Sequence, residues 1–327
     1  KDYSLLLIII FQMKLLRSSF QKKRMHCSLL LENNYMLKFL DYMPLKEELD
    51  ISLLKDSYLF ACHKDIEIIK PGNVNINSAH LDTNAEDYIV SSINSSNKLF
   101  KEDFSLGDRV LESITETKKV TKVNTNLGII LLCAPIIHAF INYNQMDLKN
   151  AISNVIDNAT TDDTLKICEA INIANPGGLG KNEKYDTRSL PPIELRKIMS
   201  HSSSYDRISY QYNHNFIDIL NFVVPRITFH LKNSHSLDIS LSLTFLEIMS
   251  KIPDSHISRK LGDKIAKKTS NHANDLLKIL DKESSHEYLT NQLNKLDYEY
   301  KKKGINPGTT ADLLLASLMI YKIFISN

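Results

Sequence analysis

An all-α fold, one large bundle of many helices, is expected here for three reasons. Apolar residues recur at helical spacing nearly everywhere after Ile51, no run alternates apolar and polar residues around hairpin turn chemistry, and two segments are apolar almost all round. Leu53, Leu54, Tyr58, Leu59 and Cys62 open the series on one face, and similar patterns return at Ile89–Leu99, Leu148–Ile156, Leu165–Ile173, Ile193–Met199 and Leu237–Met249. FVVPRITF, residues 222–229, could pass for a short strand. LGIILLCAPIIHAF (Leu127–Phe140) and LLLASLMIYKIF (Leu313–Phe324) should be buried central helices, since each is shorter than a bilayer span of about 20 residues.

Composition bounds the function. Lys plus Arg is 40 and Asp plus Glu 38, a net charge of +2, with 43% hydrophobic and 24% charged residues, as in an ordinary globular protein. So balanced a charge gives no electrostatic reason to expect nucleic acid or a membrane as partner. Cys27, Cys62, Cys133 and Cys168 are far apart, without paired spacing or a histidine pattern, which suggests a reducing, cytoplasmic setting and no zinc site.

The first 50 residues read differently. LLLIIIF, residues 5–11, precedes Lys14, Arg17, Lys22, Lys23 and Arg24, but no small-residue cleavage site follows, and the chain starts with Lys1 while Met13, Met25, Met36 and Met43 come later. Residues 1–50 are expected to be an extension or upstream read-through, dispensable to a domain at 51–327; the alternative is one more helix docked on that domain.

Glycine is scarce and clustered. Of nine glycines, six (Gly72, Gly128, Gly177, Gly178, Gly180 and Gly308) fall in four polar corners where inferred helices begin or end: KPGNV at 70–74, NTNLG at 124–128, NPGGLG at 175–180 and NPGTTAD at 306–312. Taken singly, each corner is a turn or a cap. Gathered at one end of a bundle, their free N–H groups and the positive ends of helix dipoles would cradle phosphates. Neither a G-x-x-x-x-G-K-[ST] loop nor a Rossmann fingerprint is present, so a nucleotide would sit in a helical pocket.

The order ACHKDIEIIKPGNV, VNTNLGIILLCAP, AINIANPGGLG followed by Asp186, YDRISYQY, DSHISRKLG and NPGTTADLLLAS resembles the triphosphoribosyl-dephospho-CoA synthase family, all-α enzymes, from about Ala61 to Tyr321. The resemblance implies transfer of the 5-triphosphoribosyl group of ATP to the ribose 2′-hydroxyl of 3′-dephospho-CoA, with release of adenine. Breaking the C1′–adenine bond builds oxocarbenium character that a carboxylate stabilises, and the acceptor hydroxyl needs a base. Asp312, Asp206 and Asp186 are the catalytic candidates, and Asp312 and Asp254 the candidates for Mg²⁺. Lys70, Arg207, Arg259 and Lys260 fit the triphosphate, along with the corner residues Gly72, Asn73, Asn124, Thr125, Asn126, Gly128, Asn175, Gly177, Gly178, Gly180, Gly308, Thr309 and Thr310.

Each has a plainer reading: Asp206 with Arg207 as a surface pair, Asp312 as a first-turn carboxylate, Lys70 as a solvated helix end, the asparagines as turn formers. His201, His214 and His256 have no metal spacing and read as surface or structural histidines. Members linked to citrate lyase read Asn-Thr-His-Lys-Gly where this chain has NTNLG, so Leu127 replaces a cation. A related pentosyl or nucleotide transferase with another acceptor, and a non-catalytic nucleotide-binding helical protein, are the rival readings.

Overall fold

The computed structural model describes residues 50–79, 83–177, 192–233, 236–280 and 285–324. Residues 1–49, nearly all of the expected extension, lie outside them, as do Gly178, Gly180 and Asp186. Fourteen α-helices and one π-helical turn make up the described residues, with no strand among them. In chain order they are α1 (Ile51–Glu67), α2 (Ala85–Leu99), α3 (Leu106–Val120), α4 (Leu127–Asn142), α5 (Leu148–Asp157), α6 (Thr161–Ala174), α7 (Leu195–Ser202), α8 (Arg207–Asn213), the π turn (Ile219–Val223), α9 (Val224–Lys232), α10 (Leu237–Lys251), α11 (Ser255–Leu261), α12 (Asp263–Leu280), α13 (His286–Lys302) and α14 (Gly308–Phe324). No described helix is long and apolar enough to cross a membrane.

Side-chain caps start most of these helices. Asp50, Ser105, Asp147, Asp206, Ser236, Asp254 and Ser285 each accept a first-turn N–H, and Asn84 and Thr160 do so within full capping boxes. FVVPRITF is not a strand. It runs from the π turn into α9, and Pro225 falls in the first turn of that helix, where its missing N–H costs no bond.

The two apolar segments are helices and pack against each other at the centre. Helix α4 is buried along nearly its whole length although Pro135 lies inside it. Proline removes the N–H that would bond the carbonyl four residues back, and the buried Tyr212 hydroxyl donates to that carbonyl, Leu131 O, at 2.6 Å. Helix α14 begins at Gly308, five residues before the expected start, so GTTAD is its first turn and a half.

Around this centre α3 packs closely on α2 and α6. The α2 face is small and polar: Ser91, Ser92, Ser95 and Ser96 are buried, all four closing their hydroxyls on carbonyls of the preceding turn. Arg109 is wholly buried, with its guanidinium on the carbonyls of Leu99, Lys101 and Phe104, and so fixes the α2–α3 connection.

Candidate active site

All four glycine corners meet. A cleft of about 340 Å³ is lined by Asn73 of KPGNV, by Asn124, Thr125, Leu127 and Gly128 of NTNLG, by Asn175, Pro176 and Gly177, and by Asn306, Gly308, Ala311 and Asp312 of NPGTTAD. The starts of α4 and α14 both reach it, which brings two helix N-termini to one cavity. Asn175 closes α6 in the left-handed region, φ 48°, which asparagine tolerates better than most side chains.

Asp312 and Gly128 explain each other. A Cβ at Gly128 would collide with the Asp312 carboxylate, so glycine at the start of α4 is what lets α14 bring this acid to the cleft. Among the described residues, the Asp312 carboxyl has neither a hydrogen-bond donor nor an ion pair. Burial holds it well above the usual carboxylate range, and the charges of Asp65 and Asp254 push the same way.

Asp254 is also held above the usual carboxylate range by burial, but it differs in its donors. It is 1% exposed; its Oδ1 accepts Ile257 N–H at 2.9 Å as the cap of α11, and its Oδ2 accepts both Thr310 N–H at 2.7 Å and the Thr310 hydroxyl at 2.8 Å. The capping role conceivable for Asp312 therefore belongs to Asp254, and the metal-ligand role expected of Asp254 has no free oxygen to act through. Thr309 and Thr310 do not line the cleft either: Thr309 shares a hydrogen bond of 3.0 Å with Ser255, and Thr310 is held by Asp254.

Lys70 is not at the cleft wall. It is 0% exposed, with Nζ 2.5 Å from Asp65 Oδ1, and it is Asp65 that lines the cavity. The corner around it is fixed by backbone. Gly72 has φ 87°, donates its N–H to Asp297 Oδ1 at 2.8 Å, and leaves a built Cβ only 2.5 Å from Ile305 O, so the turn itself requires glycine, and Gly72 is not among the lining residues. Asn73 donates to Asn306 Oδ1 at 2.8 Å, which ties the first corner to the last. In NTNLG, Asn124 accepts Leu127 N–H at 3.2 Å, whereas Asn126 turns inward and donates to Thr117 at 2.9 Å, away from the cleft.

The cations sort in the same way. Arg259 and Lys260 line the cleft, and Arg259 Nε donates to Gly177 O at 3.0 Å. Arg207 does not: it makes a two-pronged pair with Asp218 at 2.7 and 2.8 Å and lies 3.7 Å over the Tyr210 ring. Asp206 caps α8 through Ser209 N–H and sits 3.4 Å from Arg259, outside the cleft. The structure adds Asp65, Tyr88, Lys118, Lys122 and His256 to the lining. Lys118 and Lys122, near the end of α3, bring positive charge to the cavity that Leu127 also lines.

Comparison with known proteins identifies the family. A family described as ATP:dephospho-CoA triphosphoribosyl transferase matches residues 52–326. The chain belongs to this family. It is accordingly a transferase with ATP as a substrate, acting in triphosphoribosyl transfer to dephospho-CoA. Among solved structures, a crystal structure described as a triphosphoribosyl-dephospho-CoA synthase from Archaeoglobus fulgidus shares the fold, with TM-score 0.54 and 22% identity over 71% of this chain and 97% of that one. No curated protein matches. The family match starts one residue after Ile51, where the helical series was expected to begin, and the expected all-α architecture and triphosphoribosyl chemistry both stand.

Proposed function

We propose that this cleft holds ATP with its triphosphate toward Arg259 and Lys260 and the first turns of α4 and α14, so that ribose C1′ lies beside Asp312. The carrying observation is that one cavity unites the four glycine corners with an acid that no donor among the described residues satisfies. As the oxygen of the acceptor 2′-hydroxyl bonds to C1′, the C1′–N9 bond breaks and its electron pair leaves with adenine. A carboxylate against the developing positive charge at C1′ stabilises that state, and binding in a cleft holds the reacting atoms in register. Lys118 and Lys122 suit the second anion of the reaction, the pyrophosphate of dephospho-CoA.

Mg²⁺ fits this acid wall. Described residues offer no group of three or more protein ligands, and Mg²⁺ with phosphates ordinarily takes one or two carboxylates and fills the rest with water and phosphate oxygens. Asp312 would hold it, and the ion would supply charge neutralisation at the triphosphate. The free thiols of Cys62, Cys133 and Cys168, all buried, and the nature of the substrates favour a cytoplasmic setting.

Incubation with ATP, with and without dephospho-CoA, followed by mass spectrometry of the products, tests this reading. The expected result is adenine and a triphosphoribosyl adduct of dephospho-CoA. Adduct formation only on a different alcohol would move the acceptor assignment; absence of adenine with either would overturn the transferase reading. A chain starting at Lys46 should give the same products, with a melting temperature within a few degrees of the full chain, if residues 51–327 are the whole domain.

A further inference from the structure

We propose that Asp65 is the second carboxylate of the reacting centre, the one that accepts the proton of the acceptor hydroxyl, and that Lys70 is a positioning residue which holds it there without touching the triphosphate. This assignment rests on the transferase reading of the cleft.

The order of the two side chains carries it. Asp65 lines the cavity and Lys70 does not; Lys70 is 0% exposed, Asp65 5%, and 2.5 Å separates Nζ from Oδ1. The acid thus stands in the cleft wall with the lysine behind that wall. Lys70 is set in this place by its backbone. Its carbonyl accepts Asn73 N–H at 2.8 Å, Gly72 is anchored on Asp297, and Ile76 N–H donates to Ile66 O at 2.8 Å, folding the corner back on α1. Asp65 itself stands on α1 beside Cys62 and Ile66, both buried, on an element with little freedom to move.

A buried ion pair is weak evidence for stability, because desolvating two charges offsets most of their attraction. One whose acid faces a cleft has a chemical use. The two acids of the cavity differ in that Asp65 has Lys70 Nζ 2.5 Å away, whereas Asp312 makes no ion pair among the described residues and feels Lys70 and Arg259 only at longer range. The division of labour follows: Asp312 faces the positive charge of the reaction, and Asp65 takes the hydroxyl proton as the O–C1′ bond forms. That proton is then available to the departing adenine nitrogen, so the step balances with no further reactant.

The experiment compares Asp65→Asn, Lys70→Met and the double variant for adenine release with dephospho-CoA, for ATP affinity by calorimetry, and for melting temperature. Expected is a fall in kcat of about a hundredfold or more in Asp65→Asn, the size typical of a lost proton acceptor, with the ATP Kd within about threefold of the parent. Lys70→Met should lower kcat with the same unchanged Kd, and adding it to Asp65→Asn should cost no more than about a further threefold, since the two act as one unit. Two results overturn the proposal: a Lys70→Met enzyme that turns over normally but binds ATP about tenfold more weakly or worse, which would make Lys70 a phosphate ligand, or an Asp65→Asn enzyme within about threefold of the parent. Should Lys70→Met alone not fold, the double variant, with neither charge left to bury, and Asp65→Asn decide the matter through the same Kd and kcat. A parent that releases no adenine removes the transferase reading as well, whereas an active parent with an active Asp65→Asn removes this assignment alone.

Discussion

Two regions of this molecule carry the same residue types to different ends. At the start of α8, Asp206, Arg207 and Asp218 are satisfied by one another and by the backbone: Asp206 has Ser209 N–H and Arg259, while Asp218 has both prongs of Arg207 as well as Gln211. At the start of α14, Asp312 has no donor among the described residues, beside an Asp254 with three. A partner-by-partner account of each carboxyl therefore separates acids that hold the fold from acids left open to a ligand. Charge and motif membership alone put Asp206, Asp254 and Asp312 in one class.

The largest expected effect breaks or upholds that contrast directly. Asp312→Asn keeps the shape and removes the charge, and adenine release should fall by about a hundredfold or more. Stability should not fall with it. The Asp312 pKa is raised above the unfolded value of about 3.9, so the folded state binds more protons and ionisation opposes folding, with stability lost as pH rises from that value through the folded pKa. Removing the ionisable group should flatten this part of the pH–stability profile and leave the neutral-pH melting temperature equal or higher. A melting temperature lowered with turnover kept would return Asp312 to a purely structural role.

Asp254→Ala is the complementary change, with an expected loss of stability of about 2–4 kcal/mol. It uncaps α11 and leaves Thr310 N–H buried without an acceptor, and each such loss costs on the order of 1–2 kcal/mol. Chemical denaturation would check it; a loss below about 0.5 kcal/mol would mean that the accounting by hydrogen-bond partners does not measure structural work.

How far the sequence reached can be judged from the same residues. The corners were legible because scarce glycines and Pro-Gly pairs mark helix ends whatever the tertiary arrangement, and helix ends are where backbone amides are free. Lys70 was misplaced, since its charge is visible in the sequence while its burial behind Asp65, five positions earlier in the same motif, is not. Lys118 and Lys122 lie at and just beyond the end of α3, a helix that the apolar series did not single out, and Tyr88 lies one residue before the Ile89–Leu99 series; periodicity gives the buried side of a helix but not which other residues border a cavity. Asp254 and Thr310, 56 positions apart, meet through tertiary packing alone, which no local pattern records.

The smallest expected effect sharpens the comparison from its satisfied side. Asp206→Asn should leave α8 capped, because asparagine caps about as well as aspartate, while removing the partner of Arg259 at 3.4 Å. That pair is partly exposed, with side chains 23% and 28% accessible, and pairs of this kind contribute about 0–1 kcal/mol. Arg259 keeps its bond to Gly177 O and so its place at the cleft. Turnover within about threefold of the parent is expected, with the ATP Kd unchanged or slightly lower because Arg259 then has one competing acid fewer. A fall of about a hundredfold would put Asp206 in the reaction after all, and would mean that an acid with its full set of protein partners can still be the one that works on the substrate.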